Sequence, residues 1–422
     1  MTEQMNVPKL RFSEFEGKYI DTALEDLTKK KISYGIVQAG PHIPDGMPYI
    51  KSTNLNKELC LEELERTSDA IAKSYQRSEV APEDIVFSLR GNIGATRIVP
   101  ETIPVANLTQ GTARLSIGEN FSNVYINYCL STRKAYKRVN SVSKGSTFQE
   151  ISLADLRKVK VTHSVDIKEQ QKIASFLSKV DEKITLLTEK KYKLTEYKKG
   201  VMQQLFNGKW KEQDGQLIFI PPTLRFKADD GSEFPDWEEK ALGDFSRIYD
   251  GTHQTPKYVD EGVPFYSVEH VTANQFEKTK YISEEVYAKE CKRVTLEKGD
   301  ILLTRIGSVG DVRFIDWDVR ASFYVSLALV KYTDEIVGQY LASFMQSPNF
   351  QSELWKRMIH VAFPKKINLG EIGHCLVSVP SGDEQTKIAN FLSAIDQKVD
   401  LANSELEKAK EWKKGLLQQM FV

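Results

Sequence analysis

The sequence has only four cysteines, and they lie far apart, at Cys60, Cys129, Cys291 and Cys375. None of them forms a C-x-x-C pair, so their spacing argues against both a disulfide framework and a zinc site. We therefore expect small buried thiols in a reducing cytoplasm. The six histidines are equally scattered, which argues against a metal centre.

The sequence also lacks long hydrophobic segments. No run of roughly 18 apolar residues occurs, and residues 1–19 contain neither an apolar signal core nor an amphipathic presequence rich in Arg and Ser. The sequence therefore predicts a soluble, cytoplasmic protein without a membrane partner. Basic and acidic residues balance at 58 each, so the total charge does not indicate a polyanionic ligand, although a neutral total can contain a basic face.

Motifs of common catalytic sites are missing as well. The sequence contains no GxxxxGK[ST] phosphate loop, no GxSxG nucleophile and no HExxH or HxE…PCxxC zinc motif. It also lacks the [DNS]PP[YFW] tetrapeptide with which amino-methyltransferases hold a flipped base, because its only paired prolines, Pro221 and Pro222, precede Thr223. We predict that this chain catalyses no reaction.

An internal repeat organises the sequence. Residues 168–206 recur 215 positions later as residues 383–421, without gaps and with about half of the positions identical. The segment 84–99 (DIVFSLRGNIGATRIV) recurs more faintly at 300–315 (DILLTRIGSVGDVRFI). The chain therefore consists of a globular unit, a helix, a second globular unit and a second helix. The identical pairs of the strong repeat include Glu169/Glu384, Gln170/Gln385, Phe176/Phe391, Asp181/Asp396, Gly200/Gly415 and Gln203/Gln418.

The repeated segments have the pattern of long coiled-coil helices. Apolar residues follow one another at steps of four and three, interrupted in the first copy only by Lys191 and Lys198. A helix of about 38 residues extends roughly 55–60 Å, which is longer than one small domain needs. We predict that the two helices pair antiparallel and hold two domains apart. Asp166 and Ser381 are predicted to cap their first turns, each with the glutamate three residues later.

The globular units have a mixed pattern. Short apolar and β-branched runs bounded by Gly, Pro and Asn predict strands, whereas 123–136 and 338–358 predict helices. The predicted fold class is α+β, with two similar domains separated by two long helices that form an antiparallel coiled coil with pseudo-twofold symmetry. The predicted segments are a first domain (1–165), a central helix (166–206), a linker (207–222), a second domain (223–380) and a C-terminal helix (381–422).

Polar loops, several of them containing glycine, occur in both units. Glycine permits positive φ and close approach of a backbone, and neighbouring Arg, Asn and Ser side chains can donate to phosphates or base edges. The alternative is a hairpin turn in which the glycines only permit the fold. The candidate DNA-binding residues on these loops are Arg90, Asn92, Lys144, Ser146, Gln149, His253, Gln254, Arg305, Ser308, Lys365 and Lys366.

The sequence has two similar helices and dissimilar loops, and in this it resembles the specificity subunits of type I restriction–modification systems. The resemblance covers essentially the whole chain and rests on the motif EQxKIAxFLSxxDxK followed by KKGxxQQxF in two copies. It also rests on LRF with DWEEKALGDF at 236–245 and on DGTHQTPKY at 250–258. The first unit departs from this pattern, because it has Tyr34-Gly-Ile-Val-Gln38 where the second has the DGTHQTP loop.

The resemblance implies two target-recognition domains that each read one half of a bipartite site in double-stranded DNA. It also implies two methyltransferase subunits and restriction subunits as partners. S-adenosylmethionine, ATP and Mg would belong to these partners, so we expect no cofactor on this chain. Two alternatives remain, a specificity subunit of a fused restriction–methylation enzyme and a coiled-coil scaffold whose heads bind carbohydrate or protein. A steep salt dependence of binding to mixed-sequence duplex would exclude the scaffold.

Overall fold

The computed structural model of the chain describes residues 7–145 and 149–422. Two compact units are present: unit 1 comprises Met1–Thr188 and Ser404–Val422, and unit 2 comprises Glu189–Asn403. The two longest helices, α6 (Ile167–Leu205) and α12 (Gly382–Met420), each have 39 residues and contribute to both units. Among the described residues, no helix has the length and apolar character needed to cross a membrane.

Unit 1 combines short strands with short helices. Its strands are β1 (Ile20–Ala23), β2 (Met47–Ile50), β3 (Glu65–Thr67), β4 (Ile85–Ser88), β5 (Thr96–Ile98), β6 (Asn107–Leu108), β7 (Thr112–Leu115) and β8 (Lys160–His163). The sheets have the strand orders β3-β2-β6 and β5-β4-β7, and β1 pairs with β8. The short helices are α1 (Leu24–Leu27), α2 (Asp69–Ser74), α3 (Asn123–Leu130), α4 (Arg133–Val142) and α5 (Leu153–Lys158).

Unit 2 has the same mixture of elements. Its strands are β9 (Lys209–Gln213), β10 (Gln216–Ile220), β11 (Glu238–Ala241), β12 (Ser246–Asp250), β13 (Tyr258–Val259), β14 (Val263–Tyr266), β15 (Lys280–Ile282), β16 (Ile301–Thr304), β17 (Val312–Phe314), β18 (Ser322–Phe323), β19 (Leu327–Tyr332) and β20 (Leu376–Val379). The two four-stranded sheets have the orders β12-β19-β16-β17 and β13-β15-β14-β18, while β9 pairs with β10 and β11 with β20. The short helices are α7 (Val268–Ala273), α8 (Glu284–Glu290), α9 (Gly338–Met345), α10 (Pro348–Arg357) and α11 (Leu369–Gly373).

The two units share one strand arrangement. In unit 1, β4 lies between β5 and β7, and in unit 2, β16 lies between β17 and β19, with antiparallel pairing throughout. Phe87 of β4 faces Ala113, just as Leu303 of β16 faces Ala328. The parallel pair β2–β6 recurs as β14–β18. The prediction of two similar α+β domains is therefore confirmed.

The central strand of each unit divides two hydrophobic cores, because successive side chains of a strand point to opposite faces. Phe87 packs into the core that contains residues of α3 and α6, whereas Val86 packs into a second core. In unit 2, Leu303 and Leu302 divide in the same way. The core next to each long helix anchors the globular part of that unit to the helix.

The repeated glutamate of each long helix is buried in an ion pair. Glu169 accepts hydrogen bonds from Nε and Nη2 of Arg11 at 2.7 and 2.8 Å, and Glu384 accepts the same pair from Arg225 at 2.9 and 3.1 Å. Trp237 Nε1 donates a further hydrogen bond to Glu384 at 3.0 Å. Both carboxylates are fully buried, so the arginines supply the countercharge that burial requires. Arg11 and Arg225 belong to an LRF segment that occurs at residues 10–12 and again at residues 224–226, so this segment fastens the preceding chain to each helix.

The glutamine next to this glutamate is buried in both copies and bridges backbone groups. Gln170 donates to the carbonyl of Ser164 at 2.8 Å and accepts from the N–H in front of α3 at 2.9 Å. Gln385 donates to the carbonyl of Pro380 at 2.9 Å and accepts from the N–H in front of α9 at 2.7 Å. The Glu-Gln pair therefore fixes the start of each long helix to the adjoining globular elements.

The capping prediction is correct for Asp166 and wrong for Ser381. Asp166 accepts a hydrogen bond from the N–H of Lys168 at 2.8 Å. The hydroxyl of Ser381 is buried and has no hydrogen-bond partner within the described residues. The glutamates three residues later do not act as reciprocal caps, since arginines hold their carboxylates.

The helices α6 and α12 run antiparallel within each unit. In unit 1, Ile173 near the start of α6 shares a core with Met420 at the end of α12. In unit 2, Leu205 at the end of α6 shares a core with Ile388 near the start of α12. The predicted antiparallel direction is therefore confirmed inside each unit.

The lysines that interrupt the apolar pattern of the helices have polar partners on the opposite helix. Lys198 Nζ lies 2.6 Å from Asp396 Oδ1 in unit 2, and Lys413 Nζ lies 2.5 Å from Asp181 Oδ1 in unit 1. Lys191 donates to an asparagine of α12 at 2.6 Å. Lys198 and Lys413 occupy equivalent repeat positions, so the two ion pairs fit antiparallel pairing, whereas a parallel pair in register would place the two lysines together.

The segment 207–222, which the sequence predicts as a linker, contains the β9–β10 hairpin. The rings of Trp210 and Phe219 lie 5.4 Å apart, and Phe219 lies 6.0 Å from Trp237. This packing makes the hairpin an ordered part of unit 2.

The cysteines differ in exposure. Cys129 and Cys375 are buried, Cys291 is half-buried and Cys60 is exposed. The prediction of buried thiols is therefore wrong for Cys60, whose thiol donates to Glu62 at 2.8 Å. Across the described residues, no group of His, Cys, Asp or Glu is arranged to hold a metal ion.

Candidate functional site

The glycine-containing loops join β4 to β5 and β16 to β17. Gly91 and Gly94 have φ angles of 73° and 83°, and Gly307 and Gly310 have φ angles of 91° and 109°. These left-handed conformations favour glycine, so the glycines permit tight turns, and the neighbouring side chains carry any binding role.

In unit 1, the loop after β4 lies against the chain segment before α5. Arg90 Nη2 donates to Glu150 Oε1 at 3.1 Å, and the backbone of Glu150 pairs with that of Lys144. Asn92 donates to an asparagine Oδ1 at 2.7 Å, and Gln149 is exposed. The structure thus gathers Arg90, Lys144 and Gln149 around Glu150. Ser146 lies outside the described residues.

In unit 2, the corresponding loop contacts the segment before α11. The backbone of Lys366 pairs with that of Ile306, as Glu150 pairs with Arg90 in unit 1. The N–H of Gly307 donates to the carbonyl of Lys365 at 2.9 Å, and Ser308 Oγ donates to an aspartate at 2.6 Å. Lys365 and Lys366 are both exposed. Three candidate residues, Ser308, Lys365 and Lys366, therefore lie on two contacting loops.

Arg305 behaves differently from the other candidates. It is buried, and its guanidinium donates to the carbonyls of Ile367 at 3.2 Å and Val325 at 2.9 Å. Burial lowers the pKa of Arg305. The guanidinium therefore positions the two contacting loops and does not project from them.

The remaining candidates of unit 2 lie on the loop after β12. Gly251 approaches another strand so closely that a Cβ atom would lie 1.9 Å from the carbonyl oxygen of Phe323. His253 Nε2 lies 2.9 Å from Asp250 Oδ2, and Gln254 is exposed. Burial alone would raise the pKa of Asp250, but hydrogen bonds from Arg293 and His253 lower it. An ionised Asp250 therefore holds this loop in place.

The sequence did not predict the exposed apolar group that lies beside Lys365 and Lys366. Val361 and Phe363 lie on the loop that precedes Lys365, with relative exposures of 96% and 103%, and Trp355 is 54% exposed. Lys365 Nζ lies 5.2 Å from the centroid of the Trp355 ring. Aromatic side chains interleaved with lysines are a sequence signal for nucleic-acid binding, and this signal points to Trp355 and Phe363.

Matching loops with different side chains define a protein with two related binding modules on one pair of helices. The family model for the type I restriction modification DNA specificity domain matches residues 16–196 and residues 235–411. The chain belongs to this family, and the two matches coincide with the two halves of the internal repeat.

Two curated relatives are specificity subunits of type I restriction enzymes. The chain is 24% identical over 309 residues to the type I restriction enzyme MjaVIII specificity subunit of Methanocaldococcus jannaschii, covering 70% of this chain and 68% of the relative. It is 38% identical over 90 residues to the type I restriction enzyme EcoBI specificity subunit of Escherichia coli, covering 21% and 19% of the two chains.

Solved structures share the fold. The S subunit of a type I restriction–modification system from M. genitalium aligns with a TM-score of 0.62 at 17% identity, over 99% of both chains. A chain from a structural study of complex assembly and conformational transition in the type I system aligns with a TM-score of 0.54 at 12% identity, over 97% of this chain and 99% of that one.

Proposed function

We propose that this chain is the DNA sequence-specificity subunit of a type I restriction–modification complex, in which each unit reads one half of a bipartite site. The observation that carries the proposal is the pairing of equivalent loops with different side chains. Arg90 and Glu150 pair in unit 1 where Ile306 and Lys366 pair in unit 2. Loops that share a backbone pairing but carry different hydrogen-bond donors and acceptors suit two modules that read different bases.

The side chains on these loops support this role chemically. Arg90 can donate to guanine, and Asn92 and Gln149 can bond adenine through their amides. The exposed Lys365 and Lys366 are suited to DNA phosphates, and Phe363 offers an apolar surface to the bases.

We further propose that the chain is not catalytic and acts through two methyltransferase subunits, to which restriction subunits can be added. S-adenosylmethionine, ATP and Mg then belong to these partners. The supporting observations are the missing catalytic motifs and the repeat of the long helix, which offers two equivalent surfaces to two copies of one partner. We also propose that the helices set the distance between the half-sites.

The experiment is to sequence methylated adenines in DNA from a host that carries this chain with its methyltransferase partner. The expected result is a motif with two defined halves and an unspecified gap, absent from a host that carries the methyltransferase alone. A contiguous motif, or one that does not require this chain, would contradict the proposal. Methyl transfer by the purified chain alone would contradict its non-catalytic role.

A further inference from the structure

Unit 1 contains a cavity of about 450 Å³ whose lining is strongly basic. Five of its nine lining residues are cations and none is acidic. The five are Lys30, Lys31, Arg77, Arg114 and Arg157, and we call this site the cationic cavity. None of the five has a carboxylate partner in the described part of the chain. Lys30, Lys31 and Arg77 are exposed, Arg157 is half-buried and Arg114 is buried. Because like charges repel, an anion bound among these cations would reduce their mutual repulsion.

Arg114 is the least expected of these cations. It belongs to β7, is 7% exposed, and donates through Nη1 to the carbonyl of Glu79 at 2.6 Å, whereas its Nε has no hydrogen-bond partner. Arg114 faces Val86 as Leu329 faces Leu302 in unit 2. An arginine therefore occupies a position where the related unit has a core leucine. A buried cation without a countercharge is costly, so this substitution points to a ligand.

Unit 2 supplies its own anion at the corresponding place. There, Arg293 donates to the carboxylate of Asp250. Tyr34 of unit 1 occupies the strand position of Asp250, since Tyr34 faces Ala113 as Asp250 faces Ala328. Arg77 lies seven residues before the repeated segment 84–99, just as Arg293 lies seven residues before the segment 300–315. Unit 1 thus keeps the arginine and lacks the carboxylate that neutralises it.

The remaining cations come from features that are particular to unit 1. Lys30 and Lys31 lie between two isolated β-bridges, which join Thr28 to Ile117 and Tyr34 to Ala113. Between these bridges, the segment that carries the lysines is two residues longer than the segment opposite it. Strand β12 pairs without such an insertion. Arg157 donates through Nη2 to a carbonyl of this segment at 2.6 Å, and its Nε is buried without a partner.

We propose that the cationic cavity binds a phosphate group. Phosphate carries the charge that the cavity lacks, and its oxygens match the planar donor set of arginine. The cavity volume also admits a group attached to the phosphate. The phosphate can belong to a free phosphate compound or to a phosphodiester of bound DNA, and the second source rests on the proposed function.

The test uses the full chain and inorganic pyrophosphate as the probe. Thermal unfolding is measured with pyrophosphate and with NaCl at equal ionic strength. Pyrophosphate should raise the Tm of the wild type beyond the effect of NaCl, because a ligand of the folded state stabilises it. Arg114→Leu, which installs the residue of unit 2, should weaken apparent pyrophosphate affinity at least about tenfold, since it removes a charge-assisted contact.

The double variant Lys30→Ala/Lys31→Ala should show the same loss of pyrophosphate affinity. This variant tests the proposal if Arg114→Leu fails to fold. Lys158→Ala is the matched control, because Lys158 is exposed on the helix that carries Arg157. A wild type without a pyrophosphate-specific Tm increase would overturn the proposal. Wild-type pyrophosphate affinity in both cavity variants would overturn it as well.

Binding to duplex DNA at about 50–200 mM NaCl distinguishes the two sources. If the phosphate belongs to DNA, the cavity variants should weaken binding to all sequences alike and reduce the salt slope by about 0.9 for each lost contact. If it belongs to a free compound, they should retain wild-type DNA affinity and lose only the pyrophosphate effect. Failure of the proposed function would appear as no duplex binding by the wild type, with the pyrophosphate result unchanged.

Discussion

Glu384→Gln should loosen the start of α12 without changing the shape of the side chain. The substitution removes one negative charge and leaves Arg225, whose side chain is 12% exposed, without its countercharge. Removing one partner of a buried ion pair costs about 3–5 kcal/mol. Arg225 also donates to the carbonyl of Pro235, so we expect the lower limit, about 3 kcal/mol. At about 1.4 kcal/mol per factor of ten, local opening should become about 100-fold more frequent.

Hydrogen exchange of the full chain measures this effect, because it reports local opening separately in each part of a protein. In Glu384→Gln, amides of residues 382–395 should exchange faster, while those of residues 167–180 should retain wild-type protection. Glu169→Gln should give the opposite pattern, since Glu169 holds the equivalent arginine in unit 1.

Asp383→Asn is the matched control for Glu384→Gln. Asp383 is exposed on the same helical turn, and the change removes the same charge. An acidic residue in a first turn contributes about 0.3–1 kcal/mol through the helix dipole, so this control should have a small effect. Equal exchange in the two variants would refute the claim that the buried ion pair anchors the helix.

Three further predictions concern recognition, spacing and pH. Replacing Arg90 and Asn92 by Ala should alter only one half of the methylated motif, because each lost base contact costs about 1–3 kcal/mol, and changes in both halves would refute independent reading. Replacing Lys365 and Lys366, which are suited to phosphates, should instead weaken binding to all sequences alike. Inserting seven residues into each long helix should lengthen the gap by about 3 bp, because the helix grows by roughly 10 Å, and an unchanged gap in an active variant would contradict the spacer role. Asp250→Asn should lower the free energy of unfolding at neutral pH, because the lowered pKa of Asp250 means that its ionised form stabilises the folded chain. The difference from the wild type should shrink as pH falls below about 4, where protonation of Asp250 removes this stabilisation. A difference in unfolding free energy that stays constant down to about pH 2 would contradict this prediction.

The long helices and the doubled organisation could be predicted because they depend on local information. The four-and-three spacing of apolar residues specifies a helix with one buried seam, and a repeat without gaps specifies a second copy of the same structure. The direction of pairing also follows from the sequence in retrospect. Lys198 and Lys413 each need an acidic partner, and antiparallel pairing gives them Asp396 and Asp181.

Helix ends were predicted less well. The stretch 123–136, which the sequence predicts as one helix, forms α3 and α4, because the Thr132 side chain accepts a hydrogen bond from Ala135 N–H and caps a new helix. The stretch 338–358 divides in the same way at Ser347. A capping residue inside an apolar pattern competes with helix continuation, and the packing of each half decides the outcome.

Only the tertiary structure decided which loop side chains face outward. Arg90 and Arg305 occupy neighbouring positions of the repeated motif, yet Arg305 is buried against backbone carbonyls, while Arg90 forms a partly exposed ion pair. Burial depends on strand register and on distant segments that close over a side chain, and neither is encoded in local composition. The cationic cavity has the same origin, since Arg77, Arg114 and Arg157 are separated in sequence and meet only when the chain folds.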